Sequence, residues 1–98
     1  MQLGFPDAEE HYLKAELVLR LDRAIRSLGL TQRTAARRIG TTQPELSKIL
    51  GGKFSEVSLE RLMRFLTALG YRIEIKIGVE RAKKAGAVTV RDDRRSAA

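Results

Sequence analysis

Four side chains in one short stretch, Gln43, Pro44, Ser47 and Lys48, have types suited to recognition rather than to making or breaking bonds. A carboxamide such as Gln43 donates and accepts at once, so it can clasp the edge of an adenine with two hydrogen bonds, while an ammonium such as Lys48 can reach the acceptors of guanine. Ser47 adds a hydroxyl, and Pro44 offers only van der Waals contact, for instance to a thymine methyl. Arg33 and Arg37 lie a little upstream and Lys53 a little downstream, where cations can approach phosphates; a merely solvated arginine is the alternative for Arg33, Arg37 and Arg38.

Such groups read a partner only if a rigid element presents them, and the stretch from Thr31 to Gly52 supplies one. Thr31 can cap a helix of about residues 32 to 39, and Gly40 can end it by taking a left-handed backbone conformation. Thr42 and Glu45 have the spacing of a capping box, in which the hydroxyl takes the amide of Glu45 and the carboxylate returns to the amide of Thr42. Pro44 suits the first turn of the helix so begun, about residues 43 to 50. Ala35, Ala36 and Ile39 face inward from the first helix; Leu46, Ile49 and Leu50 do so from the second. Gln43, Pro44, Ser47 and Lys48 are left outward, along a face that a major groove could admit. The stretch reads as a helix-turn-helix.

The other elements must hold that pair in place. Asp7, with Glu10 at capping-box spacing, can start a long helix of about residues 8 to 28. Its inner face is Leu13, Leu17, Leu21, Ala24, Ile25 and Leu28; Lys14, Glu16, Arg20, Asp22, Arg23 and Arg26 lie mostly elsewhere. Tyr12, Val18 and Leu19 fall partly off that face and call for a wider core or a second subunit. His11 reads as a surface residue of the first turns. Phe54 and Val57 read as core plugs, and Ser58 caps a last helix of about residues 59 to 69. Its stripe is Leu59, Leu62, Met63, Leu66 and Leu69, with Phe65 on the flank.

From Tyr71 to Ile77 the apolar period changes from 3.6 to 2. Tyr71, Ile73, Ile75 and Ile77 share one face; Arg72, Glu74 and Lys76 share the other, the pattern of a half-buried strand. One strand cannot satisfy its own backbone groups. Either residues 87–91 return as a hairpin partner, or the same strand of a second copy pairs across a two-fold axis, closing the edge and burying the isoleucines. Met1 to Pro6 is expected to fray. The last stretch, RDDRRSAA, within a basic tail of residues 78–98, is expected to be disordered, as an arm for phosphate or protein or simply as a solvated terminus.

Charge and composition narrow the function. The net charge is +7 over 98 residues, and it is densest in residues 31–53, where five bases face one acid. A basic patch centred on a helix pair most simply implies a polyanion. With no cysteine and one histidine, neither a thiolate metal site nor cysteine catalysis is available, and no metal or cofactor is expected. There is no glycine-rich phosphate loop and no cluster of acids at ligand spacing. Asp92 and Asp93, adjacent among arginines, are poor acid-base candidates. No enzyme is expected. No apolar run spans a membrane, and the first residues lack a secretory signal, which places the chain in the cytoplasm. With no stacking sheet or aromatic pair, duplex DNA is a better partner than RNA.

The ordered set Gln32, Ala35, Gly40, Thr42, Gln43, Leu46, Ser47 and Gly52 resembles the helix-turn-helix signature of repressors of the phage Cro and xenobiotic-response-element type. The tail FSEVSLERLMRFLTALGYRIEIKI is similar to their antitoxin-like branch, and the likeness covers about residues 7–77. It implies a mainly α, lambda-repressor-like bundle of four helices with a short C-terminal β-strand. It also implies base contacts from Gln43, Pro44, Ser47 and Lys48, and a backbone contact from Gln32, beside Arg33, Arg37, Thr42 and Lys53. Pro44 departs from the family, which commonly has a polar residue there. The resemblance further implies a homodimer, joined through Tyr71, Ile73, Ile75 and Ile77, on an inverted-repeat operator. Its function would be repression of a small operon, its own. A main role in masking a toxin protein is the alternative.

Overall fold

The computed structural model describes residues 7–80 and 85–93, so the expectation for Met1 to Pro6 lies outside it. Four helices follow in order: α1 Asp7–Ser27, α2 Gln32–Ile39, α3 Gln43–Leu50 and α4 Leu59–Ala68. Each lies within a residue of the expected limits, and the caps of α2, α3 and α4 are where the sequence puts them. Thr31 Oγ1 accepts from the Thr34 amide at 3.1 Å, Thr42 Oγ1 from Glu45 at 3.3 Å and Ser58 Oγ from Arg61 at 3.1 Å. Each bond satisfies one of the amides that a helix start leaves without a partner. Gly40 ends α2 with φ +82°, a conformation that a side chain would make costly.

One core joins all four helices. α4 lies along α1, and the α2–α3 pair packs across both. Leu21, Leu46, Ile49 and Leu62, one or two from each of three helices, are its most enclosed large side chains, and Ala35 of α2 is fully buried among them. Phe54 and Val57 plug the loop between α3 and α4 as expected, and Phe65, read as a flank, is buried outright. Val18 is buried too, which settles the wider-core reading for that position, while Tyr12 and Leu19 are exposed.

Several details of α1 differ from the sequence reading. Leu28 is exposed rather than inward, because α1 stops at Ser27 and Gly29, at φ +67°, swings the chain away. Asp7 is itself helical rather than a cap, and Glu10 turns to Lys14 at 3.2 Å. Lys14 is buried instead of lying on the outer face. Its ammonium donates to the Ser55 carbonyl at 2.8 Å, tying α1 to the loop after α3. A buried ammonium is tolerated because it is both paired and hydrogen-bonded. His11 is exposed, as expected, but it also stacks on Phe54 with ring centroids 5.0 Å apart.

The C-terminal strand is not formed among the described residues, and neither is the hairpin alternative between 71–77 and 87–91. A strand exists only by bonding to another, and the described part of this chain offers none. Exposure alternates only over residues 71–74, where Tyr71 and Ile73 pack against the core between exposed Arg72 and Glu74; Ile75 and Ile77 are exposed. Part of the expected arm is placed. Asp92 meets Arg20 at 2.6 Å and Arg23 at 3.8 Å, and Asp93 meets Arg72 at 3.6 Å; residues 94–98 lie outside the description.

Ala35, with no exposed surface at the α2 crossing, has no room to grow. Ala35→Leu should lower unfolding stability by about 1–3 kcal/mol through overpacking, read as a fall in the urea midpoint at unchanged slope.

Candidate nucleic-acid interface

The geometry begins with the turn between α2 and α3. The Gly40 amide bonds back to Arg37 at 3.4 Å and the Thr41 amide to Ala36 at 2.9 Å, so α2 is closed off within two residues and α3 starts at once. Leu46 and Ile49 drive one side of α3 into the core. Gln43, Pro44, Ser47 and Lys48 are left exposed on the opposite side, as expected.

The structure adds a bond between two of the predicted residues. Gln43 Nε2 donates to Gln32 Oε1 at 3.2 Å, linking the first residues of α2 and α3. Each carboxamide keeps spare capacity, so Gln32 can steady Gln43 while Gln43 still offers its own oxygen and a second N–H outward. Arg33, Arg37 and Thr42 are exposed beside this pair. Lys53 lies at the far end of α3, its amide bonded to the Lys48 carbonyl at 2.9 Å after Gly52 takes φ +103°. The loop that carries it is held from below by the Lys14–Ser55 bond and by His11 on Phe54.

Sequence reasoning missed Arg61, and it misassigned Glu45. The Glu45 carboxylate does not return to Thr42. Its two oxygens accept from Arg61 Nη1 at 2.8 Å and Nη2 at 2.6 Å, and Oε1 also accepts from the Thr41 hydroxyl. Arg61 lies over the Phe65 ring, 5.1 Å from its centroid. A bidentate charge-assisted pair is stronger than one bond to a neutral amide, so the guanidinium wins the carboxylate. The consequence is mechanical: the first turn of α3 is braced against the first turn of α4. Hydrogen bonds from Arg61, then from Thr41, hold the Glu45 carboxyl at about 2, well below the usual carboxylate range. The pair also neutralises the single acid of residues 31–53.

Among the described residues no cluster of His, Cys, Asp or Glu could hold a metal ion, and no helix is long and apolar enough to cross a membrane. The profile of a family described as a helix-turn-helix domain matches residues 1–78. A solved structure assigned as an XRE family transcriptional regulator is 37% identical, with a TM-score of 0.85 over 90% of this chain and 100% of its own. The chain belongs to the XRE-type helix-turn-helix family. No curated protein matches it. The four-helix architecture is shared with that relative, and within one turn of α3 Thr42 is the cap, Gln43 is exposed and Leu46 is buried in the core.

The brace predicts an acid dependence. A carboxyl depressed in the folded state stabilises above its unfolded value, near 4.5, and that contribution is lost as pH falls toward about 2. Glu45→Gln should therefore melt below the wild type at neutral pH, and the two melting temperatures should converge between those limits. A constant gap down to the lower limit would mean that the charge of Glu45 contributes nothing.

Proposed function

We propose that this protein is a transcriptional repressor that binds double-stranded DNA sequence-specifically as a homodimer. The observation that carries the reading is the outward face of α3. Gln43, Pro44, Ser47 and Lys48 stand exposed on a helix whose other side is locked in the core, with Gln43 steadied by Gln32. Short helices presented in this way enter the major groove, where each base pair has its own pattern of donors and acceptors. Gln43 and Lys48 would supply base readout, and Gln32, Arg33, Arg37, Thr42 and Lys53 the phosphate register. The mechanism is occlusion: a dimer seated on a promoter excludes polymerase, and control of its own small operon is the simplest use. Two reading helices about 34 Å apart would meet an inverted repeat on successive turns of one face of the duplex. Tyr71, Ile73, Ile75 and Ile77 are the residues through which we join the two copies.

A second reading, neutralisation of a toxin protein, draws support from α1. Tyr12 and Leu19 are exposed at a spacing that puts them on one face of that helix, as a protein partner would require. Co-expression with the neighbouring open reading frame, followed by purification of a stoichiometric complex, would favour it.

The primary reading is tested by selecting duplexes from a randomised pool. Selected sites should be inverted repeats with half-sites one helical turn apart. On such a site Gln43→Ala should relax preference at one base position per half-site by roughly 1–3 kcal/mol. Lys53→Ala should weaken all sequences alike and reduce the salt slope by about one. An identical, sequence-blind loss from both substitutions would overturn this division of roles.

A further inference from the structure

The stretch that follows α4 is unfinished in a way that defines what completes it. Tyr71 closes α4 by donating its amide to the Leu66 carbonyl at 3.1 Å, and beyond it no backbone–backbone hydrogen bond reaches residues 72–80 among the described residues. The alternation read from the sequence is kept at its start. Tyr71 and Ile73 turn to the core, and Arg72 Nε meets Glu74 at 2.8 Å, a contact between alternate residues on the other face. The apolar face then runs on past the end of the domain. Ile75, Ile77 and Val79 continue it with 77%, 90% and 92% of their surface exposed. Val79 extends the stripe one step beyond the strand read from the sequence.

We propose that residues 71–79 of two chains pair as antiparallel strands whose two-fold axis passes through Ile75. This rests on the homodimer reading above and specifies its interface. In a two-fold antiparallel pair, residues equally far from the axis lie opposite each other and point to the same face. An axis between two residues would set isoleucines against lysine or glutamate, so the axis must fall on a residue. At residue 74 it would put Glu74 against itself and Arg72 against Lys76; at residue 76 it would put Lys76 against itself. At residue 77 Glu74 would oppose Glu80. An axis at residue 73 matches Arg72 with Glu74 but runs into α4 after five residues, leaving Ile77 and Val79 uncovered.

The axis at Ile75 alone satisfies both faces. Glu74 then opposes Lys76 of the second copy, twice by symmetry, and Arg72 opposes Gly78. On the apolar face Ile75 meets Ile75, Ile73 meets Ile77, and Tyr71 meets Val79. Tyr71 and Ile73 already rest on the core, so Ile77 and Val79 of one chain would be laid beside the core of the other. The exposed ends are thereby covered by the second domain. Residue 71 of each chain stands four residues from the axis, so the two domains hang from points ~27 Å apart along the strand, a span of the same order as one turn of duplex.

The full chain contains no cysteine, so one substitution creates one thiol. Light scattering on the wild type, free and on a selected duplex, tests for two chains. Oxidation of Ile75→Cys should give a covalent dimer, because directly opposed residues lie 4.5–5.5 Å apart, within disulfide reach. Ile73→Cys or Ile77→Cys alone should not cross-link, since each would be ~13 Å from its own copy. A mixture of those two should. Separately, Glu74→Lys or Lys76→Glu should raise the dimer dissociation constant roughly three- to tenfold, and the double swap should restore it. A wild-type dimer that cross-links through residue 73 or 77 with itself, or through none of the three, would overturn the register and leave the dimer standing. A single chain in light scattering under both conditions would overturn the dimer as well.

Discussion

An eight-residue helix cannot hold itself, and α3 has eight residues. In water a helix of that length is marginal at best, since nucleation costs more than so few backbone bonds return. Everything that α3 presents therefore depends on what its neighbours do to it. Leu46 and Ile49 bury its inner side almost completely, Thr42 caps its start, and the bidentate bond from Arg61 fixes its first turn to α4. Three different forces act on three different parts of two helical turns. The outward residues inherit that rigidity without contributing to it.

The same arrangement handles the electrostatics. Residues 31–53 form the most basic part of the chain, and Glu45 is its one acid. On the proposed reading, a free carboxylate there would repel phosphate. Bound to Arg61, it becomes a structural strut with little net charge, and the low proton affinity of Glu45 follows from the same bonds. Lys14 does comparable work at the other end of α3. Its ammonium meets Glu10 and a loop carbonyl, while Lys53 on the same loop stays exposed. Arg61 and Lys14 are thus taken up in holding α3 and its following loop, whereas Arg33, Arg37, Lys48 and Lys53 stand exposed.

The helices and their ends were legible because their signals are local. Thr31, Gly40, Thr42 and Ser58 act within four residues of themselves, and leucines at helical spacing give the buried faces. The outward set on α3 followed from the same periodicity. What escaped was contact between elements far apart in sequence. Glu45 and Arg61 are sixteen residues apart, and nothing at either position names the other; the capping-box rule supplied a nearer partner that lost to a stronger one. Lys14 and Ser55 are forty-one apart. The Gln32–Gln43 bond escaped for the same reason, since a tight turn joins the end of α2 to the start of α3 and only the crossing of the two helices brings Gln32 back to Gln43. The strand marks a different limit: alternation can be read from one chain, whereas a ladder requires a second strand.

The most direct test of the central claim, that α3 reads base edges in the major groove, is affinity for a selected duplex carrying single deaza-purines. Replacing N7 removes a major-groove acceptor, and replacing N3 removes a minor-groove one. The account predicts about a tenfold loss for 7-deaza substitution at one or more purines of each half-site, a loss that disappears in Gln43→Ala or Lys48→Ala, and none for 3-deaza substitution. Insensitivity to every 7-deaza position, or sensitivity confined to the 3-deaza series, would contradict it.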